Sequence, residues 1–120
     1  ACRRPEEIDY VNAWGPGHRT IDQGESLALA RVFGHRLREI PVTSIKGAIG
    51  TALGASGPMQ LASTVLSIMH GLLPPTVNWE NPDPNCPLNL SNRRRHMSVN
   101  IALVNSHGLA GSNSALVIEK

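Results

Sequence analysis

The stretch Val11-Asn12-Ala13-Trp14-Gly15-Pro16-Gly17-His18 carries a β-prone run directly into a glycine-rich turn. A chain commonly presents a small reactive side chain at such a place, on a loop held by a rigid strand. The residue presented here is a tryptophan, whose indole N–H can donate a hydrogen bond but does not titrate. Lys46 opens a second conspicuous run, Lys46-Gly47-Ala48-Ile49-Gly50-Thr51-Ala52-Leu53-Gly54-Ala55-Ser56-Gly57. It lacks the Gly-Lys-Ser/Thr ending of a phosphate-binding loop and is better explained by close packing. None of the five histidines stands four residues from another, so a helix-borne metal site has no support. Cys2 and Cys86 form neither a disulfide framework nor a paired metal spacing, a usage that fits a reducing, cytoplasmic setting.

These residues need elements to hold them. Residues 8–12 read as a strand that closes at Gly15-Pro16-Gly17. Asp22 then offers a helix cap and Glu25 completes a capping-box-like pair, giving a helix to about Phe33 that stops at Gly34. Residues 40–44 form a second strand with Pro41 near its start, where a missing N–H is tolerated. The all-small run 47–57 calls for burial, because each glycine costs roughly 1 kcal/mol against alanine in a helix unless close backbone packing offsets it. Leu61, Val65, Leu66 and Met69 continue it as an ordinary amphipathic helix over 58–70. Residues 72–96 are too rich in proline for regular structure and read as a long ordered loop. Residues 97–104 and 114–118 finish the chain as an antiparallel pair around a turn at 106–113.

The sum is one α/β domain over residues 1–120, with a mixed sheet of about four strands and two main helices, one of them glycine/alanine-rich and buried. A length of 120 residues allows a single modest core. The formal charge is +2, concentrated in Arg93-Arg94-Arg95, which is a solvated loop end rather than a nucleic-acid surface. No apolar run reaches the length of a membrane span, and no signal peptide precedes the first strand. The abrupt start at Ala1 suggests part of a longer chain or assembly.

Four motifs in fixed order give a sharper reading. Tyr10-Val11-Asn12-Ala13-Trp14-Gly15-Pro16 is similar to Tyr-Val-Asn-Ala-His-Gly-Thr, and residues 44–57 to Ser-Thr-Lys-Gly-x-x-Gly-His-x-x-Gly-Ala-x-Gly. Pro74-Pro75-Thr76-Val77-Asn78, Asn81-Pro82-Asp83-Pro84 and Cys86 match a proline loop, and residues 105–113 an Asn-Ser-Phe-Gly-Phe-Gly-Gly-Thr-Asn turn. Together they resemble the C-terminal part of the elongating β-ketoacyl-acyl-carrier-protein synthases, of the thiolase superfamily.

That resemblance implies a condensing enzyme that joins an acyl chain to a malonyl unit by decarboxylation. A cysteine in the N-terminal half, upstream of Ala1, would hold the acyl group, with two histidines stabilising the developing oxyanion and a lysine ordering the site. Lys46 occupies the lysine position, while Trp14 and Thr51 stand at the two histidines. Pro16 and His18 fall where threonines would touch the pantetheine arm; His107 and Leu109 replace two phenylalanines of a gating turn, and Ala110 replaces a glycine. Cys86 takes no nucleophilic role and no cofactor is implied.

The expected partners are an acyl carrier protein with its phosphopantetheine arm, and the N-terminal synthase half or a partner synthase subunit in a homo- or heterodimer. Neither nucleic acid nor a membrane span enters. Trp14 is expected to fill the volume of an abandoned site, Lys46 to pair with Glu25 in a buried ion pair, and His18 and His107 to be solvated or bonded locally. The all-small helix should lie in a middle layer, with the apolar surface of 50–69 covered by the missing half, a partner chain or a second copy. The implied function is a non-catalytic subunit similar to a chain-length factor. The alternative is an active 3-oxoacyl synthase whose nucleophilic cysteine lies outside this chain.

Overall fold

The computed structural model describes residues 2–120, apart from the side chain of Leu109. Its organising element is β1 (Tyr10–Asn12), whose three side chains are all buried, as befits a strand covered on both faces. On one side β1 pairs in parallel with β2 (Val42–Thr43), Val11 opposite Val42. On the other it pairs in parallel with β5 (Ile101–His107), Asn12 opposite Val104. β5 pairs antiparallel with β6 (Asn113–Glu119), so the strand order is β2-β1-β5-β6, a mixed sheet of four. The first two strands lie within the expected β-prone runs and are shorter, and β6 covers the expected 114–118. β5 runs over 101–107 rather than 97–104, because the Met97 and Asn100 N–H groups are taken by the Gly71 carbonyl and the Asp9 carboxylate.

Two fifteen-residue helices, α1 (Arg19–Phe33) and α3 (Ser56–His70), pack with the sheet. Val11 and Val42 join Leu29 and Phe33 of α1 in one apolar cluster, while Tyr10 and Ala102 join Ile68 of α3 in another. Successive β1 side chains thus serve opposite layers, as strand geometry requires. α1 stops at Gly34 as the sequence predicts, with a positive φ of 56° there. It starts earlier than predicted, with His18 at the N-cap and neither Asp22 nor Glu25 in a capping box.

The small-residue run departs most from expectation. Only Lys46 and Ser56 are buried within it; α2 (Lys46–Ile49) lasts four residues, and Gly47 to Gly50 are exposed. Too few side chains are present to stabilise a longer helix where no neighbouring element covers it. α3 turns its polar stripe inward and leaves apolar surface of 50–69 uncovered within this chain, as expected. Ser56, Gln60, Thr64, Ser67 and Ile68 face inward, whereas Leu66 and Met69 are 54% and 68% exposed, with Leu61 and Val65 also exposed.

The proline-rich segment is an ordered loop closed at its base by β3 (Leu72–Leu73) and β4 (Arg95–His96), an antiparallel pair of two residues each. Pro41 and Asn89 form a parallel bridge that ties the loop to the start of β2. Arg93 and Arg94 are exposed, but Arg95 reaches back to Asn89 Oδ1 at 2.9 Å and the Leu90 carbonyl at 2.6 Å. No helix among the described residues is long and apolar enough to cross a membrane.

Candidate functional site

The loop that leaves β1 is gripped from two sides. Glu25 begins the inward stripe of α1, with Ser26, Leu29 and Phe33, and is 4% exposed. Its carboxylate accepts the N–H of Trp14 at 2.8 Å and that of Gly15 at 2.8 Å. Ser44, just after β2, donates its hydroxyl to the Gly15 carbonyl at 2.8 Å. The N–H groups of Trp14 and Gly15 and the Gly15 carbonyl are therefore satisfied by side chains, which fixes the path of the backbone at residue 14.

A third donor to Glu25 is the amide of Asn105, 2.7 Å from Oε1. The same amide lies 2.9 Å from Nε2 of His107, and His107 Nδ1 lies 2.5 Å from Asn113 Oδ1. The His107 ring meets the Trp14 ring edge-on, with centroids 5.4 Å apart and planes at 69°. Both ring nitrogens of His107 are thus engaged by protein groups, so it offers no free N–H to a substrate. Trp14 itself is half-buried rather than enclosed.

Lys46 is 6% exposed, and its Nζ has no hydrogen-bond partner. Burial pushes its pKa down to about 8, with the Glu25 charge pulling the other way. The expected ion pair is not formed: Glu25 is occupied by three N–H donors, and no described ion pair joins it to Lys46. Lys46 lines a cavity of about 450 Å³ together with Pro16, Asp22, Asn78, Trp79 and Cys86. Burial pushes the pKa of the Asp22 carboxyl and of the Cys86 thiol up from their ordinary values. Gly47 fits this corner only because it lacks a side chain: a Cβ there would stand 2.1 Å from the Val77 carbonyl oxygen.

The predicted residues are brought together only in part. Trp14 and His107 meet, while Lys46 and Pro16 share the cavity. Thr51 and His18 are exposed, and neither they nor Trp14 line the cavity. Leu109 lies outside the described side chains. Ala110, at a position where the resemblance places glycine, has a φ of 61°, a left-handed conformation that costs a side-chain-bearing residue roughly 1 kcal/mol.

Sequence reasoning missed Gln60. Its side-chain amide nitrogen donates among the carbonyls of Asn12, Ala13 and Asn105, at 3.3, 2.8 and 3.0 Å, and joins β1, β5 and α3. The signal was the polar spacing Ser56, Gln60, Thr64, which is as helical as the apolar one beside it.

Residues 1–80 match the family model described as Beta-ketoacyl synthase, C-terminal domain. The chain belongs to the β-ketoacyl synthase family. It is similar to the ketoacyl synthase alpha subunit of the tetracenomycin polyketide synthase of Streptomyces glaucescens, 41% identical over the whole of this chain and 28% of that protein. Among solved structures, the ishigamide ketosynthase/chain length factor superposes with a TM-score of 0.93 at 34% identity, over 98% of this chain and 29% of that one. A type II polyketide ketosynthase in complex with its acyl-carrier protein gives 0.93 at 31% identity, over 96% and 28%. This ketoacyl synthase-family chain thus spans under a third of the length of the relatives it matches, in a thiolase-like α/β fold.

Proposed function

We propose that this chain is the C-terminal domain, over residues 1–120, of a non-catalytic synthase-family subunit of fatty acid or polyketide biosynthesis in the cytoplasm, acting like a chain-length factor. One observation carries the reading: the position of the first family histidine holds Trp14, and the nearby His107 has both nitrogens committed to Asn105 and Asn113. Decarboxylation builds negative charge on a thioester oxygen, and stabilising it calls for donors aimed at that oxygen in a dry site. A half-buried indole and the exposed Thr51 do not make such a pair.

In this reading the outward apolar face of α3 is covered by the N-terminal half or by a partner synthase subunit in a dimer. An acyl carrier protein delivers its pantetheine arm near Pro16, His18 and Leu109. Pairing the complete protein with an active synthase should change the length of the product, while the complete protein alone with acyl carrier protein should yield none. Condensation by the complete protein alone would overturn the proposal.

The second reading, an active 3-oxoacyl synthase, draws on the buried Lys46 and on the likeness to a ketoacyl synthase alpha subunit. It requires a cysteine nucleophile upstream of Ala1. Sequencing that region separates the two.

A further inference from the structure

The hydrogen bonds around His107 fix more than its place. A carboxylate oxygen only accepts, so the Asn105 side chain must turn its NH₂ toward Glu25 Oε1, 2.7 Å away. The same NH₂ faces Nε2 of His107 at 2.9 Å, so Nε2 carries no proton. The proton then sits on Nδ1, opposite Asn113 Oδ1. Asn113 is oriented independently, because its own NH₂ donates to the Gly111 carbonyl at 3.2 Å and leaves Oδ1 as the acceptor. Two amides, each held by a separate partner, select the same tautomer.

Nδ1 anchors the first residue of β6 across the turn 108–112, and Nε2 anchors Asn105, which is bonded to the carboxylate gripping the Trp14 backbone. The ring between these anchors supports the edge contact with the indole. Phenylalanine would supply the ring but neither anchor.

We infer that His107 is a positioning residue: in a single neutral Nδ1–H tautomer it braces the turn 108–112 against β5 and seats the Trp14 indole. The inference bears on the proposed function through Trp14, but its test reads geometry and stands whether or not the protein is catalytic.

The test uses the complete protein with ¹⁵N-labelled histidine and 5-fluorotryptophan, the signals assigned by their loss in His107→Gln and Trp14→Phe. The expected result is a His107 ring protonated at Nδ1 with Nε2 unprotonated. His107→Phe and Asn113→Leu should both shift or broaden the Trp14 fluorine line, and Asn113→Asp, which keeps an acceptor for Nδ1–H, should restore it. Protonation at Nε2 in the unmodified protein would overturn the inference without any variant having to fold. So would a Trp14 line unmoved in both His107→Phe and Asn113→Leu.

Discussion

Replacing Lys46 with methionine should stabilise the protein near neutral pH, an unusual outcome for a residue at a family site position. The side chain is 6% exposed, its ammonium has no hydrogen-bond partner, and burial lowers its pKa from 10.5 to about 8. At about 1.4 kcal/mol per tenfold change in proton affinity, that lowering corresponds to about 3–4 kcal/mol against the charged form. Methionine has a similar length and no charge, so Lys46→Met should raise stability at pH 7 by about 1–3 kcal/mol. The sign follows from proton binding. Below about pH 8 the lysine is charged both folded and unfolded, and the cost is present in full. Between about 8 and 10.5 the unfolded chain holds a proton that the folded one has released, so stability rises with pH and the advantage of the variant fades. Urea unfolding of the complete protein and of Lys46→Met, at pH 7 and at pH 10, measures both effects. A loss of more than about 1 kcal/mol in the variant at pH 7, or an advantage unchanged at pH 10, would refute the unpaired-charge argument.

Gln60→Leu removes the donor shared by the Ala13 and Asn105 carbonyls, and should lower stability by about 2–4 kcal/mol in denaturant titration. A loss under about 0.5 kcal/mol would show that those carbonyls have other partners. Gly47→Ala forces a Cβ against the Val77 carbonyl, and should cost about 2 kcal/mol or more. Faster hydrogen exchange across residues 74–90 would locate the damage in the proline loop. Leu66→Glu with Met69→Glu alters the outward face of α3. It should render the isolated 120-residue chain less self-associating by size exclusion, yet destabilise the complete protein.

The sheet was legible because short β-prone runs bounded by glycine and proline leave few alternatives, but the strand ends were not, since tertiary hydrogen bonds set where each ladder starts and stops. Residues 44–57 and 105–113 were legible as motifs, and the structure places Lys46, His107 and Asn113 at consequential points. The outward apolar face of α3 was legible only through the resemblance, which left the surface of 50–69 to be covered by a missing half, a partner or a second copy; helical spacing alone fits the apolar and the polar stripe equally. In this chain Gln60 and Thr64 of the polar stripe bond to the sheet, and the apolar stripe faces away from it. Glu25 was read first as a cap and then as the partner of Lys46. It serves instead the loop amides and Asn105, contacts spanning up to 80 residues that local patterning does not encode.

Carbon dioxide release from malonyl-loaded acyl carrier protein, measured with the complete protein, tests the central claim most directly. With an indole at position 14 and the neighbouring imidazole fully engaged, release should not exceed the rate without protein, and Lys46→Ala and His18→Ala should change nothing. Sustained release that Lys46→Ala or His18→Ala abolishes would contradict the account.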